Sequence, residues 1–176
     1  INLALFGLYP RQHVPTVPPE IMLLGNWIYE MSSWTRAIVI PLSIVQASGV
    51  RRPVPEGMTA EELFVPGQKL KLPKKDRLSA VFNQADRILK LWERRGIRDI
   101  RAKAVREAEK WMLDRMRYTD GLGAIYPSMM YSIMAMDVLG YERDHPDLNE
   151  ALKQFHDLIL ETPDRLALLV RHAQVV

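Results

Sequence analysis

Acid–base, metal and covalent chemistry each need particular side chains at particular spacings, and this chain offers few of them. Its four histidines (His13, His145, His156, His172) have no metal-ligand spacing such as HExxH and read as surface or capping residues. No GxSxG turn, phosphate loop or aspartate-rich diphosphate motif occurs, and Gly121-Leu-Gly123 lacks the strand, helix and further glycine of a dinucleotide site. The absence of cysteine excludes disulfides and thiolate metal sites. No metal site and no cofactor is therefore expected. The Arg/Lys cluster from Arg87 to Arg106 is interleaved with core positions on amphipathic helices and reads as a solvated outer face. Nucleic-acid binding would want aromatics beside those cations, but Trp92 and Trp111 fall on the inward stripes, so no nucleic-acid partner is expected. What remains is aromatic. Trp34, beside Ser33 and Arg36 at the start of an apolar segment, is either core packing or a ring face for a cationic or apolar ligand. Such a face is worth roughly 1–2 kcal/mol to a desolvated cation.

The elements that must position such groups read as helices. Asp120 to Tyr141 opens on a glycine-rich turn (Gly121, Gly123) and runs into Pro127, where a helix would begin. That helix is apolar almost all round (Met129, Met130, Ile133, Met134, Ala135, Met136, Val138, Leu139), so burial on every side is expected, with Ile125, Tyr126 and Pro127 at its mouth. Its methionines read as core filler. Tyr29 to Ala47 is a second apolar segment, interrupted by Pro41, which should kink it. Its Ile38-Val39-Ile40 run would also suit a buried strand, although its length and Ser32 and Ser33 favour helix. Between and around these lie one-faced patterns. Asp76 to Arg95 places Leu78, Val81, Phe82, Ala85, Ile88, Leu89 and Trp92 inward and ends at Gly96. Arg98 to Met116 places Ile100, Ala104, Ala108, Trp111 and Met112 inward. A third runs over 147–161, capped by Asp144 and stopped by Thr162-Pro163, with Leu148, Ala151, Leu152, Phe155, Leu158 and Ile159 inward.

The remaining segments connect. Ile1 to Leu8 reads as the end of a helix, Tyr9 to Pro19 as a proline-rich extended connector, and Glu20 to Leu24 as a turn or two. Ser48 to Lys75 is a proline- and glycine-rich loop made basic by Lys69, Lys71, Lys74 and Lys75, with Thr59 as N-cap and Glu62 at N3 of one helical turn. Helices apolar all round, mixed with helices apolar on one face, are what two concentric layers would give. The expected fold is all-α, an α/α barrel (toroid) of inner and outer helices or a helical solenoid, as one partial domain over residues 1–176. The chain is 48% hydrophobic, enough for a sizeable core. Its formal charge of +3 and pI near 9.2 suit an anionic membrane surface without demanding one. No apolar run reaches the roughly 18 to 20 residues that span a bilayer. The first residue, Ile1, and the abrupt end at Val176 suggest a piece of something longer.

VPTVPPEIMLLGNW, IYEMSSWTRAIVIPLSIVQA, ELFVPG and WMLDRMRYTDGLGAIYPSMMYSIMAMDVLGY, in this order, closely resemble bacterial squalene-hopene cyclases down to about Glu161. Residues 111–123 also look like a degraded form of the repeat in which a glutamine and a tryptophan tie neighbouring helices of these enzymes. The resemblance implies a two-domain α/α barrel that sits on the bacterial cytoplasmic membrane as a peripheral homodimer. A DxDD aspartate would protonate squalene, and the polyene would close through carbocations in a dry aromatic chamber. It implies no cofactor. Trp34 would be a cavity-wall residue, Met31 and Val39 would stand at the substrate-channel constriction, and Ile125, Tyr126 and Pro127 would form the cavity segment where the last cation is quenched. Tyr126 stands where many relatives have glutamine, and Tyr131 would support that segment from behind. Two departures stand out. The family usually has several more residues between Trp27 and Ile28, which implies a deletion or a break there. No DxDD occurs in the 176 residues, so this stretch alone is not expected to start cyclisation. The other class of function open to such a chain is a non-catalytic helical scaffold that binds a lipid or a partner protein.

Overall fold

Ser32 begins the first long helix of the computed structural model, which describes residues 1–50, 52–63, 84, 87–92, 97–162 and 165–168. The Thr35 N–H donates to Ser32 Oγ at 3.2 Å, and the hydroxyls of Ser32 and Thr35 lie 2.8 Å apart. This is the side-chain cap an N-terminus needs to satisfy its free donors. The helix, α2 (Ser33–Ser48), follows a one-turn helix, α1 (Asn2–Leu5). The choice between helix and strand at Ile38-Val39-Ile40 thus falls to helix. Pro41 lies inside α2 without ending it, although it has no N–H to bond back. The stretch from Ile40 to Gln46 is buried on all sides, and Ser43 Oγ there donates to the Ile40 carbonyl at 2.6 Å.

The described residues group into two compact units, one of residues 1–16 and 49–96, the other of 17–48 and 97–176. The first contains α1, a 3₁₀ turn at Arg11–His13 inside the expected extended connector, and a 3₁₀ turn at Glu61–Leu63. The Leu63 N–H bonds the Ala60 carbonyl at 3.0 Å, so the turn starts after Ala60 and Thr59 is not its cap. Residues 84 and 87–92 are helical. Ile88 and Trp92, expected inward, are 61% and 37% exposed, because a periodic stripe specifies a face and not what covers it. The lysines at 69, 71, 74 and 75, the rest of the helix read over 76–95, and Gly96 lie outside the described residues.

The second unit holds the other long helices: α3 (Arg98–Met116), α4 (Tyr126–Leu139) and α5 (Pro146–His156). Helix α2 packs on α3 and α4, α4 packs also on α5, and a 3₁₀ helix at Pro19–Leu23 packs on α3. Glu20 Oε1 accepts from Arg101 Nε at 3.1 Å, which ties that 3₁₀ helix to α3. Gln46 Oε1 accepts the Val17 N–H at 2.8 Å. A second 3₁₀ helix, Gly25–Glu30, runs continuously through Trp27 and Ile28.

Helix α3 has the predicted bounds and buries Ala104, Ala108, Trp111, Met112 and also Met116, while Ile100 is exposed. Helix α4 differs from expectation. One side, with Ser128, Met129, Tyr131, Ser132, Ala135 and Met136, is buried. On the other, Met130, Ile133, Met134 and Val138 are only half-buried and Asp137 is exposed. Its buried serines are satisfied locally, with Ser132 Oγ donating to the Ser128 carbonyl at 2.7 Å. Apolar composition alone would have hidden every face; α2 and α5 cover one.

Helix α5 is capped by His145, not Asp144: His145 Nδ1 accepts the Asp147 N–H at 3.2 Å, and Pro146 follows at the first helical position. It buries Leu148 and Ala151, leaves Leu152 exposed and Phe155 half-buried, and ends at His156 rather than 161. Ile159–Thr162 (β1) and Arg165–Leu168 (β2) then form an antiparallel pair, with Ile159 opposite Leu168 and Thr162 opposite Arg165. Leu158 and Ile159 continue the helical stripe in sequence, but a short apolar run with β-branched members fits either period. Apart from this hairpin, the described residues are helical, turn or irregular, and the fold class is all-α. Among them no helix is long and apolar enough to cross a membrane.

Candidate functional site

The seven residues singled out above fall into two groups, one where the chain enters α2 and one where it enters α4. Met31 ends the 3₁₀ helix Gly25–Glu30 in extended conformation, at φ −76° and ψ 148°. A short, charge-assisted bond from the Arg36 guanidinium to the Met31 carbonyl, and another to the Tyr29 carbonyl at 3.2 Å, hold this junction. The same guanidinium lies 5.2 Å from the Tyr29 ring centre. From α3, Arg115 donates to the Tyr29 hydroxyl at 3.3 Å and lies 4.1 Å from the Trp111 ring. Arginines and aromatic rings thus alternate from the start of α2 across to α3. Trp34, in the first turn of α2, is 48% exposed, while Met31 and Val39 are half-buried. Five residues of helix turn Val39 about 140° from Trp34, so the two occupy different sides of α2.

The second group follows a backbone of unusual hand. Gly121, Leu122, Gly123 and Ala124 have φ of 59°, 61°, 90° and 51°. Leu122 and Ala124 carry a Cβ in this region, which costs roughly 1–2 kcal/mol each. The Ala124 N–H closes the turn on the Asp120 carbonyl at 2.6 Å. Ile125 returns to extended backbone as the N-cap of α4, and Tyr126 and Pro127 form its first turn. Ser128 Oγ reaches the carbonyls of both Leu122 (3.0 Å) and Ile125 (2.9 Å) from a fully buried position. Tyr126 is 41% exposed and packs its ring on Phe155 of α5, centres 5.6 Å apart. Ile125 and Pro127 are half-buried, and Tyr131, one turn beyond Pro127 on the same side of α4, is buried.

Burial is the larger cause, and the nearness of Tyr126 the smaller, of a Tyr131 hydroxyl pushed above its ordinary pKa. Tyr131 is therefore neutral at physiological pH and a weaker acid than a free tyrosine. The group as a whole offers ring faces and apolar walls rather than a proton donor. Among the described residues no three His, Asp or Glu side chains come close enough to hold a metal ion. Tyr126 is exposed beside Phe155, whereas Tyr131, five residues on and about 140° round α4, is buried, and the two groups stand at the starts of helices, α2 and α4, that pack against each other. Two hollows, of about 300 Å³ beside Met116, Arg117 and Asp147 and about 460 Å³ beside Leu139 to Pro146, are lined by none of the seven. Ser128, Leu122, Ala124, Phe155 and the Arg36–Tyr29–Arg115 contacts have no signature in the sequence. Leu122 and Ala124 look like ordinary residues between turn glycines, and Phe155 meets Tyr126 across 29 residues of chain.

The family model described as the squalene-hopene cyclase N-terminal domain matches residues 1–164. The chain is 36% identical over 173 residues to a dammaradiene synthase of Dryopteris crassirhizoma, covering 93% of this chain and 25% of that protein. It is 36% identical over 153 residues to a squalene–hopene cyclase of Zymomonas mobilis, covering 84% of this chain and 23% of that one. A squalene–hopene cyclase of Alicyclobacillus acidocaldarius is 35% identical over 153 residues, 82% of this chain and 24% of its own. The chain thus spans about a quarter of the length of the curated relatives it matches. On these likenesses, and with an all-helical fold, the chain belongs to the squalene-hopene cyclase N-terminal domain family.

Proposed function

We propose that this chain is part of a squalene-hopene-type triterpene cyclase, one partial α/α-barrel domain of a two-domain enzyme, and that it forms a wall of the cavity in which squalene cyclises. The observation that carries the reading is the row of apolar side chains left partly open on the α2–α4 pair. Its serines at 43, 128 and 132 are buried, while Trp34, Ile38, Val39, Met130, Ile133 and Met134 stay partly open beside the polar Ser33, Thr35, Arg36 and Asp137. A helix face turned to water is usually polar, and an apolar surface of this kind serves a partner or a ligand.

Family membership supports the substrate class. Protonation falls to an aspartate elsewhere in the full-length protein, because no DxDD lies within this sequence. The wall then contributes ring faces to the migrating carbocation, a fixed shape for the folded polyene, and dryness, which keeps the cation from water until the final step. Trp34 is the ring in the wall. Met31 and Val39 narrow the entry, Ile125, Tyr126 and Pro127 line the quenching end, and Tyr131 backs them. The full-length enzyme would act as a homodimer lying on the bacterial cytoplasmic membrane without crossing it, with no cofactor.

The test is to incubate the full-length protein with squalene and analyse the products by gas chromatography and mass spectrometry. Wild type is expected to give pentacyclic triterpene. Trp34→Ala is expected to lower kcat/KM about tenfold or to release incompletely cyclised products, in keeping with the roughly 1–2 kcal/mol of one desolvated cation–π contact. Unchanged rate and products would remove Trp34 from the wall. A wild type inert toward squalene would leave the helical scaffold as the reading.

A further inference from the structure

We propose that Ser128 is a positioning residue, whose hydroxyl holds the left-handed turn 121–124 and thereby aims Ile125 and Tyr126. The proposal rests on the cyclase reading above for what those two residues face, and on geometry alone for the hold itself. The direction of Ile125 and Tyr126 is set by the backbone that delivers them. That backbone spends four successive residues at positive φ, two of them carrying side chains. Left to itself, the turn would relax, because Leu122 and Ala124 prefer negative φ.

Several contacts oppose the relaxation. The Ala124 N–H is bonded to the Asp120 carbonyl at 2.6 Å. The buried Gly121 stands so close to Met129 that a Cβ there would lie 2.7 Å from its Cε. Ser128 acts on both ends of the problem at once. Its single hydroxyl proton is shared between the Leu122 carbonyl inside the turn and the Ile125 carbonyl at the start of α4. The side chain is 0% exposed, so no bulk water can replace it. Its own carbonyl is held by Ser132 Oγ at 2.7 Å, which extends the same buried chain of hydroxyls one turn further into α4. A serine serving only as helix filler would be improved by alanine, the better helix former. A serine that clamps the turn would not be.

The experiment compares full-length wild type, Ser128→Ala, Ser128→Thr and Ala124→Gly by amide hydrogen exchange and by turnover of squalene. In Ser128→Ala the Ala124 amide is expected to exchange about tenfold faster, the equivalent of about 1.4 kcal/mol. The share of minor or incompletely cyclised products should rise several-fold, with kcat falling more than KM changes. Ser128→Thr, which keeps the hydroxyl, should restore both. Ala124→Gly removes part of the incentive to relax, so Ser128→Ala made in that background should change exchange and products less than it does in wild type. An equal change overturns the clamp against backbone strain, and the relieved background keeps the comparison possible if Ser128→Ala alone fails to fold. Wild-type exchange at Ala124 in Ser128→Ala overturns the clamp. Faster exchange with unchanged products, kcat and KM overturns the positioning role. If wild type leaves squalene unreacted, the cyclase reading fails instead, and the exchange comparison still decides whether Ser128 holds the turn.

Discussion

Gly121 and Gly140 both lie at positive φ, +59° and +87°, yet a side chain at each would meet different surroundings. Around Gly140 nothing stands within 4 Å of the added Cβ, so Gly140→Ala carries only the backbone cost, about 1–2 kcal/mol. At Gly121 the Cβ would also lie 2.7 Å from Met129 Cε and 3.0 Å from its Cγ. The far methyl of a methionine can often swing away, but Met129 is 3% exposed and its Cγ cannot move without the rest. Gly121→Ala is therefore expected to cost about 2–4 kcal/mol, backbone and overpacking together. Denaturant unfolding of the two variants in the full-length protein checks this. Equal destabilisation would show that Met129 gives way freely. The same crowding bears on Ser128, because a turn with no slack transmits a lost hydrogen bond directly to Ile125 and Tyr126.

At the scale of elements, the ends of the helices carry the specificity. Helix α4 closes in a Schellman motif: the Tyr141 N–H bonds the Met136 carbonyl at 3.0 Å and the Gly140 N–H bonds Asp137 at 3.1 Å. This delivers Tyr141 to α3, where its hydroxyl donates to Glu109 at 2.6 Å. Its ring meets His145, the cap of α5, at 4.5 Å. One residue thus joins the end of one helix to the flank of a second and the start of a third. Burial chiefly, then the bond to Glu109 and the Glu109 and Asp147 charges, against a smaller opposing effect of Arg117, push the Tyr141 hydroxyl well above its ordinary pKa. The sign follows from the neutral form being favoured in the folded state. Its stabilisation is complete below the unfolded pKa near 10 and fades as pH rises beyond that value. Tyr141→Phe is expected to cost about 1 kcal/mol at neutral pH, the net worth of one hydrogen bond. The gap between wild type and variant should narrow above pH 10 in unfolding curves recorded across that range. A gap independent of pH would mean that the hydroxyl is not held neutral by the fold.

At the scale of the whole molecule, this chain is proposed to supply a wall and not an acid. A polypeptide of these 176 residues, which contain no DxDD, is expected to give no cyclised product from squalene above a control without protein. Product formed by that polypeptide would place the proton donor inside this sequence and overturn the division of labour proposed above. The proposed division would account for the absence of conventional catalytic motifs from this sequence. A cation steered by ring faces and dry walls needs shape and π-electrons, and such residues leave no spacing pattern beyond ordinary apolar periodicity.

By itself, the sequence determined the family, through segments such as IYEMSSW and DGLGAIYP, and the all-helical class, through apolar spacing over Tyr29 to Ala47, Arg98 to Met116 and Pro127 to Leu139. Periodicity and caps are local, and local rules fixed α3 to its last residue. What covers each face is not local. Only the tertiary structure left one side of α4 half open and paired Ile159–Thr162 with Arg165–Leu168 where the helical stripe was expected to continue. The left-handed turn at Leu122 and Ala124 is of the same kind. Neither residue favours it, and it persists because a buried hydroxyl, a crowded glycine and a packed methionine, brought together by folding, leave the backbone no other path.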